Sequence, residues 1–239
     1  MIKGRPVRAT QPRKSREIPS GTEPLGISAG EFGFAYDSCA RCWWDKKHGV
    51  APVPEAFATV LRKSASAMEA AVTVEFVKAI GIPAVSEFPR SQVKSAPVYF
   101  HEVGRAGFIH GRLDRGFVCE DGSVALIECK CSQPKESRIQ AAVRQLEAYA
   151  YALQNPSYGS PVKVSLATVL IWEPTEMKLD PATSRGVLWG GFTQHVARCD
   201  KSVAEERLEK AVRALTGARP ASGRYCDVCR AVDERARKV

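Results

Sequence analysis

Asp114, in the run Gly111-Arg112-Leu113-Asp114, and Glu128, in Glu128-Cys129-Lys130, are two carboxylates with an amine close behind. Gln145 and Tyr149 follow at the spacing of one helical turn. Two carboxylates brought to one spot can hold a hard cation such as Mg²⁺ or Mn²⁺, and a water on that cation can attack a phosphodiester. A lysine beside them can position the water and stabilise charge on the phosphate. A plainer reading of Glu128 and Lys130 is an ion pair at a strand end. Tyr149 has a plain reading too, as a packed side chain with Gln145 in solvent.

A second constellation is sulfur. Of eight cysteines, four stand in Cys-x-x-Cys pairs, Cys39/Cys42 and Cys226/Cys229, far apart in the chain. Each pair offers two thiolates in knuckle geometry, and together they complete a four-thiolate site for structural Zn²⁺ or for an iron–sulfur cluster. Such a site leaves no open position for water, so it is expected to be structural. Cys119, Cys129, Cys131 and Cys199 are expected to be small core residues. Trp43 and Trp44, beside the first pair, either cover the centre or stack on unpaired bases.

The elements that must position these groups follow from periodicity. Phe57, Leu61, Ala65, Met68, Val72, Phe76 and Ala79 recur at helical spacing and predict a helix over 55–80, ended by Gly81 and Pro83. Strands are expected at 83–90 and 97–103. A hairpin of 108–119 returning as 123–132 turns on Glu120-Asp121-Gly122, with Gly122 left-handed. That loop places Asp114 opposite Glu128, whereas a two-residue loop would shift the parity. Side chains alternate along a strand, so Glu128 and Lys130 share one face and Cys129 takes the other. A helix over 137–153 carries the stripe Arg138, Ala142, Gln145 and Tyr149 beside an apolar stripe, and Asn155-Pro156 stops it. A strand at 162–172, another at 186–196 and a helix at 202–215 complete the chain.

The net charge of +9 favours an anionic partner, nucleic acid before membrane. Part of it lies in residues 1–27, which read as a basic flexible arm, and 231–239 reads as a charged tail. No apolar run reaches the length of a membrane span and no leader is visible, so a cytoplasmic protein with reduced thiols is expected. His110 stands beside Gly111 but is taken as structural.

The runs Gly111-Arg112-Leu113-Asp114, Glu128-Cys129-Lys130 and Gln145-x-x-x-Tyr149 together resemble the motifs of the PD-(D/E)XK nuclease superfamily. The branch is the RecB-type group that includes the CRISPR adaptation exonucleases. The resemblance covers about 55–230 and implies an α/β fold with a restriction-endonuclease-like αβββαβ core, a central mixed sheet flanked by helices, within a nuclease-like domain over 28–230 whose termini are joined by the four-cysteine metal site. It implies that Asp114 and Glu128 ligate Mg²⁺ or Mn²⁺ with the Cys129 carbonyl, and that Lys130 is catalytic. It further implies that Gln145, Tyr149 and Arg138 hold the substrate, and that Glu69 or Glu75 adds a ligand. The expected activity is hydrolysis of DNA, as an exonuclease or single-strand nuclease, with protein partners in a repair, recombination, phage or CRISPR pathway. Related nucleases hold a [4Fe–4S] cluster between one N-terminal cysteine and three C-terminal ones, whereas this chain has two and two. The alternatives are a non-catalytic DNA-binding module of the same fold, and a zinc-stabilised interaction protein.

Overall fold

The computed structural model describes residues 14–15, 17–32, 39–49, 66–89, 92–180, 182–183, 185–221, 223, 226, 229 and 233. Two mixed five-stranded sheets are flanked by helices.

The second of these sheets in chain order carries the constellation, and its centre is β8 (Val124–Cys131). Alternation along β8 divides its side chains between two cores: Val124 and Leu126 enter one, while Ala125, Ile127 and Cys129 enter the other. A strand buried on both faces must be covered on both. One face packs α3 (Glu136–Gln154), through Ile139, Ala142 and Leu146, and α4 (Lys201–Thr216) joins the same core from the side of α3 and the other sheet. The other packs α2 (Val74–Ala79) and the helical residues 66–71, through Met68, Val72 and Val77.

The strand order in this sheet is β10 (Arg185–Ala197), β9 (Val164–Asp180), β8, β7 (Arg115–Cys119) and β3 (Ala84–Glu87). β3, β7 and β8 pair antiparallel, and the helix α3 then returns the chain so that β9 runs parallel to β8. The β7–β8 turn is Glu120-Asp121-Gly122, with Gly122 at φ +74 and its N–H bonded to the Cys119 carbonyl, as expected. Asn155 caps α3 through the Tyr151 carbonyl, ahead of Pro156.

The other sheet is built on β6 (Arg105–Arg112), paired in parallel with β2 (Leu25–Ser28) and antiparallel with β4 (Gln92–Lys94) and β5 (Val98–Phe100); β1 (Lys14–Ser15) pairs with β5. Gly107 lets α4 close on it, since a Cβ there would lie 2.4 Å from Val212 Cγ2.

Three expectations are corrected here. The strand 108–119 is two strands: β6 ends at Arg112 and β7 begins at Arg115, and the chain changes sheets at Leu113-Asp114. Leu113 is drawn into the core at that crossing. The helix over 55–80 is broken, because Thr73 takes an extended conformation and accepts the Phe76 N–H, capping α2 as a separate helix; its portion 55–65 lies outside the described residues. Within the expected flexible arm, β1 and β2 are paired strands and Ile27 is fully buried; residues 1–13 lie outside the described residues. Ser28 and Glu31 bond reciprocally, Ser28 Oγ accepting the Glu31 N–H and Glu31 Oε2 the Ser28 N–H, which starts the next helical turn. Of the charged tail, Asp233 alone is described.

Candidate functional site: buried carboxylates and a four-thiol centre

The crossing at Leu113-Asp114 sets Asp114 just before β7. Pairing runs from Val118↔Val124 to Arg115↔Ile127, so one further step brings Asp114 opposite Glu128. The Asp114 Oδ2 accepts the Cys129 N–H at 3.1 Å, which ties the crossing to β8.

Glu128 is fully buried. Its Oε1 is paired with the Lys130 ammonium, while Oε2 is buried without a hydrogen-bond donor. Burial and the charge of Asp114 push the Glu128 carboxyl well above its ordinary range, and Lys130 offsets them only in part. A buried, under-satisfied carboxylate is costly, so it calls for a proton or a cation.

Lys130 also donates to Gln145 Oε1 at 3.3 Å. Gln145 Nε2 donates to Tyr149 Oη at 3.2 Å, and the Tyr149 hydroxyl donates to the Arg112 carbonyl at 2.6 Å. Gly111 permits that last contact, because a Cβ there would stand 2.8 Å from Tyr149 Cε1. A single chain of hydrogen bonds therefore runs from Glu128 through Lys130, Gln145 and Tyr149 back to the end of β6. Burial first, and then Glu128, raises the Tyr149 hydroxyl, so it remains a donor.

Arg138 does not join this chain. It is exposed in the first turn of α3. Of the two candidate extra carboxylates, Glu69 is the one whose charge is felt at the site, at Cys129 and Tyr149. Glu75 is exposed, with Thr73 and Lys78 as its neighbours. His110 lies half-buried on β6, tilted against Phe108, and has no contact with the constellation.

The two cysteine pairs do come together. Cys42 Sγ lies 3.3 Å from Cys229 Sγ and 3.4 Å from Cys226 Sγ, and Cys39 Sγ lies 3.6 Å from Cys229 Sγ. All four sulfurs fall within 4.8 Å of one another, so they could hold a metal. Among the described residues no other group of three or more acidic, histidine or cysteine ligands closes to that spacing. Asp114, Glu128 and Glu69 thus stand more loosely.

Cys39 precedes α1 (Ala40–Lys47), with Cys42 one turn on. Burial opposes ionisation of Cys39, but the N–H groups of Cys42 and Gly223 and the neighbouring thiols favour its thiolate and hold it down to about 6. Two bidentate ion pairs brace the centre, Arg41 with Asp233 at 2.9 and 2.6 Å and Arg219 with Asp45 at 2.6 and 2.7 Å. Trp43 is buried in the core, so it offers no face to a base, and Trp44 stacks on His48 at 3.8 Å. Cys119 and Cys129 are buried as expected, whereas Cys131 and Cys199 are half-buried.

Sequence reading missed the Tyr149–Arg112 contact and the ion-pair brace. The spacing of Arg41 and Asp45, one helical turn apart, was the local trace of the brace.

No protein-family model matches the chain, and no curated protein matches it. Among solved structures it is similar to one titled "Crystal structure of SSO0001", at 13% identity and a TM-score of 0.39, over 80% of this chain and 76% of that one. That superposition is too loose to define a common fold. No helix among the described residues is long and apolar enough to cross a membrane.

Proposed function

We propose that the chain is a Mg²⁺- or Mn²⁺-dependent nuclease of the PD-(D/E)XK type, hydrolysing DNA phosphodiesters as an exonuclease or a single-strand nuclease. The observation that carries the reading is Glu128: fully buried, beside Asp114, with one oxygen on Lys130 and the other without a donor. A purely structural ion pair gives no reason to bury a second carboxylate against the first. Within the sheet that carries the site, a helix, three strands paired antiparallel, a helix and a parallel strand follow one another, with β4–β6 of the other sheet inserted between β3 and β7, and this supports the same reading.

Asp114 and Glu128 would hold the cation, with Glu69, whose charge is felt at Cys129 and Tyr149, as the further carboxylate. When bound, the cation supplies Lewis acidity to the scissile phosphate and an acidified water. Lys130, held by Glu128 and Gln145, presents its ammonium where charge builds on the phosphate. Tyr149 is committed to the Arg112 carbonyl, so its role is to set the rotamer of Gln145; Gln145 keeps one amide N–H for the substrate strand.

The test is cleavage of end-labelled single- and double-stranded DNA with Mg²⁺ or Mn²⁺, comparing wild type with Glu128→Gln and Lys130→Ala. Metal-dependent products that vanish in both variants support the nuclease. Tight DNA binding with no cleavage under either metal would make the chain a non-catalytic DNA-binding module.

A further inference from the structure

We propose that the four-thiol centre holds a single zinc ion, and that a four-iron cluster does not fit it. The inference stands independently of the nuclease reading, because it concerns a different part of the molecule.

The spacing of the sulfurs separates the two. Four thiolates arranged tetrahedrally around one ion, with metal–sulfur bonds near 2.3 Å, stand about 3.8 Å apart. The sulfurs here lie 3.3, 3.4 and 3.6 Å apart at the close contacts, and none is more than 4.8 Å from another. In a four-iron cube each thiolate binds a different iron and projects outward from its corner. The four sulfurs must then occupy a far wider tetrahedron, with the cube itself inside. A two-iron cluster spreads its two thiolate pairs apart for the same reason.

The surroundings resist such widening. Cys39 and Cys42 come from the start of α1, and Cys226 and Cys229 come from the C-terminal segment. Two ion pairs also tie α1 to later parts of the chain, Arg41 with Asp233 and Asp45 with Arg219 just after α4. Gly223 lies beside Cys39, where a Cβ would make ordinary contact with its Sγ at 3.4 Å. Behind α1, Trp43 is buried in the core. Pushing the pairs apart would break this brace.

Charge does not separate the two, since a divalent ion and an oxidised four-iron cluster both leave a dianion with four thiolates, and Arg41, paired with Asp233, stands beside Cys42 in either case. With four sulfurs closed around the ion there is no open coordination position. Zinc, which has no redox chemistry and a tetrahedral habit in all-sulfur sites, suits a structural clasp between chain regions separated by 184 to 190 residues.

The experiment is elemental analysis and labile-sulfide assay of the full chain purified under strict anaerobiosis, before and after incubation with ferrous iron and sulfide. X-ray absorption at the metal edge accompanies it. The expected result is one zinc per chain, colourless protein, four sulfur neighbours near 2.3 Å and no metal–metal neighbour. Zinc should remain in place after the iron and sulfide treatment. Brown protein with several irons and matching sulfides, as purified or after treatment, would overturn the proposal. So would a single iron, or folded protein without metal. Cys226→Ser should lower the zinc content where Cys199→Ser does not; if Cys226→Ser fails to fold, Co²⁺ exchanged into the wild type should show the visible bands of a tetrahedral thiolate site.

Discussion

Glu128 sets the residue-scale behaviour. Its carboxyl is raised well above the ordinary value of 4.5, so between that value and the raised one the folded chain keeps a proton that the unfolded chain has released. With more protons bound folded than unfolded, stability falls as pH climbs through that window. Thermal melts without added Mg²⁺ or Mn²⁺ should therefore show a declining midpoint from about pH 5 upward. Glu128→Gln, isosteric and uncharged, should flatten the decline. Added Mg²⁺ or Mn²⁺ should raise the wild-type midpoint more at higher pH, because binding competes with that proton, and Glu128→Gln should lose the gain. For activity, Lys130→Ala should lower the cleavage rate about 10²-fold or more, read in single-turnover assays at a temperature where wild type and variant are both folded, since the variant also loses the partner of Glu128. An undiminished rate would remove Lys130 from the chemistry.

At the scale of elements, the turn, the cap and the helix contact each make a separate prediction. Gly122 sits at φ +74, so Gly122→Ala should cost about 1 kcal/mol and Gly122→Asn less, by denaturant unfolding. Removing the cap in Thr73→Ala should cost about 1 kcal/mol and loosen α2. Gly111→Ala is the informative case. The new Cβ would meet the Tyr149 ring, displacing the hydroxyl from the Arg112 carbonyl and with it Gln145. Cleavage should fall although no group facing the substrate is altered; unchanged cleavage would mean that Gln145 needs no such support. Much at this scale was legible in sequence. The alternation of β8, the period of α3 and the three-residue loop are local patterns, and parity alone put Asp114 across from Glu128. The split of 108–119 was not legible, because continuing a strand and crossing between sheets use the same extended backbone. The break at Thr73 was masked by an apolar stripe that runs on through both helical segments.

Over the whole molecule, two properties follow from long-range arrangement. A net charge of +9 predicts DNA affinity that falls steeply with salt, and a flat response would indicate another partner. The four-thiol centre joins the start of α1 to the C-terminal segment. Stripping its metal with a thiolate-competing chelator should expose the chain beyond Thr216 to protease while the β8–α3 core persists, as seen by mass mapping. The Arg41–Asp233 and Arg219–Asp45 pairs should slow that release, so Asp233→Asn should speed metal loss.

The sequence by itself determined what short-range periodicity can encode: which residues of β8 and α3 face a core, where the β7–β8 turn falls, and that two carboxylates, a lysine and two cysteine pairs exist to be brought together. Only the tertiary structure decided which surfaces meet. It joined the cysteine pairs across nearly the whole chain, moved Asp114 to a crossing between sheets, left Arg138 in solvent and tied Tyr149 to the end of β6. It also left one oxygen of Glu128 buried and without a donor. These outcomes depend on how two cores fill and on which polar groups lose water as they do. Residue spacing along the chain carries no record of that.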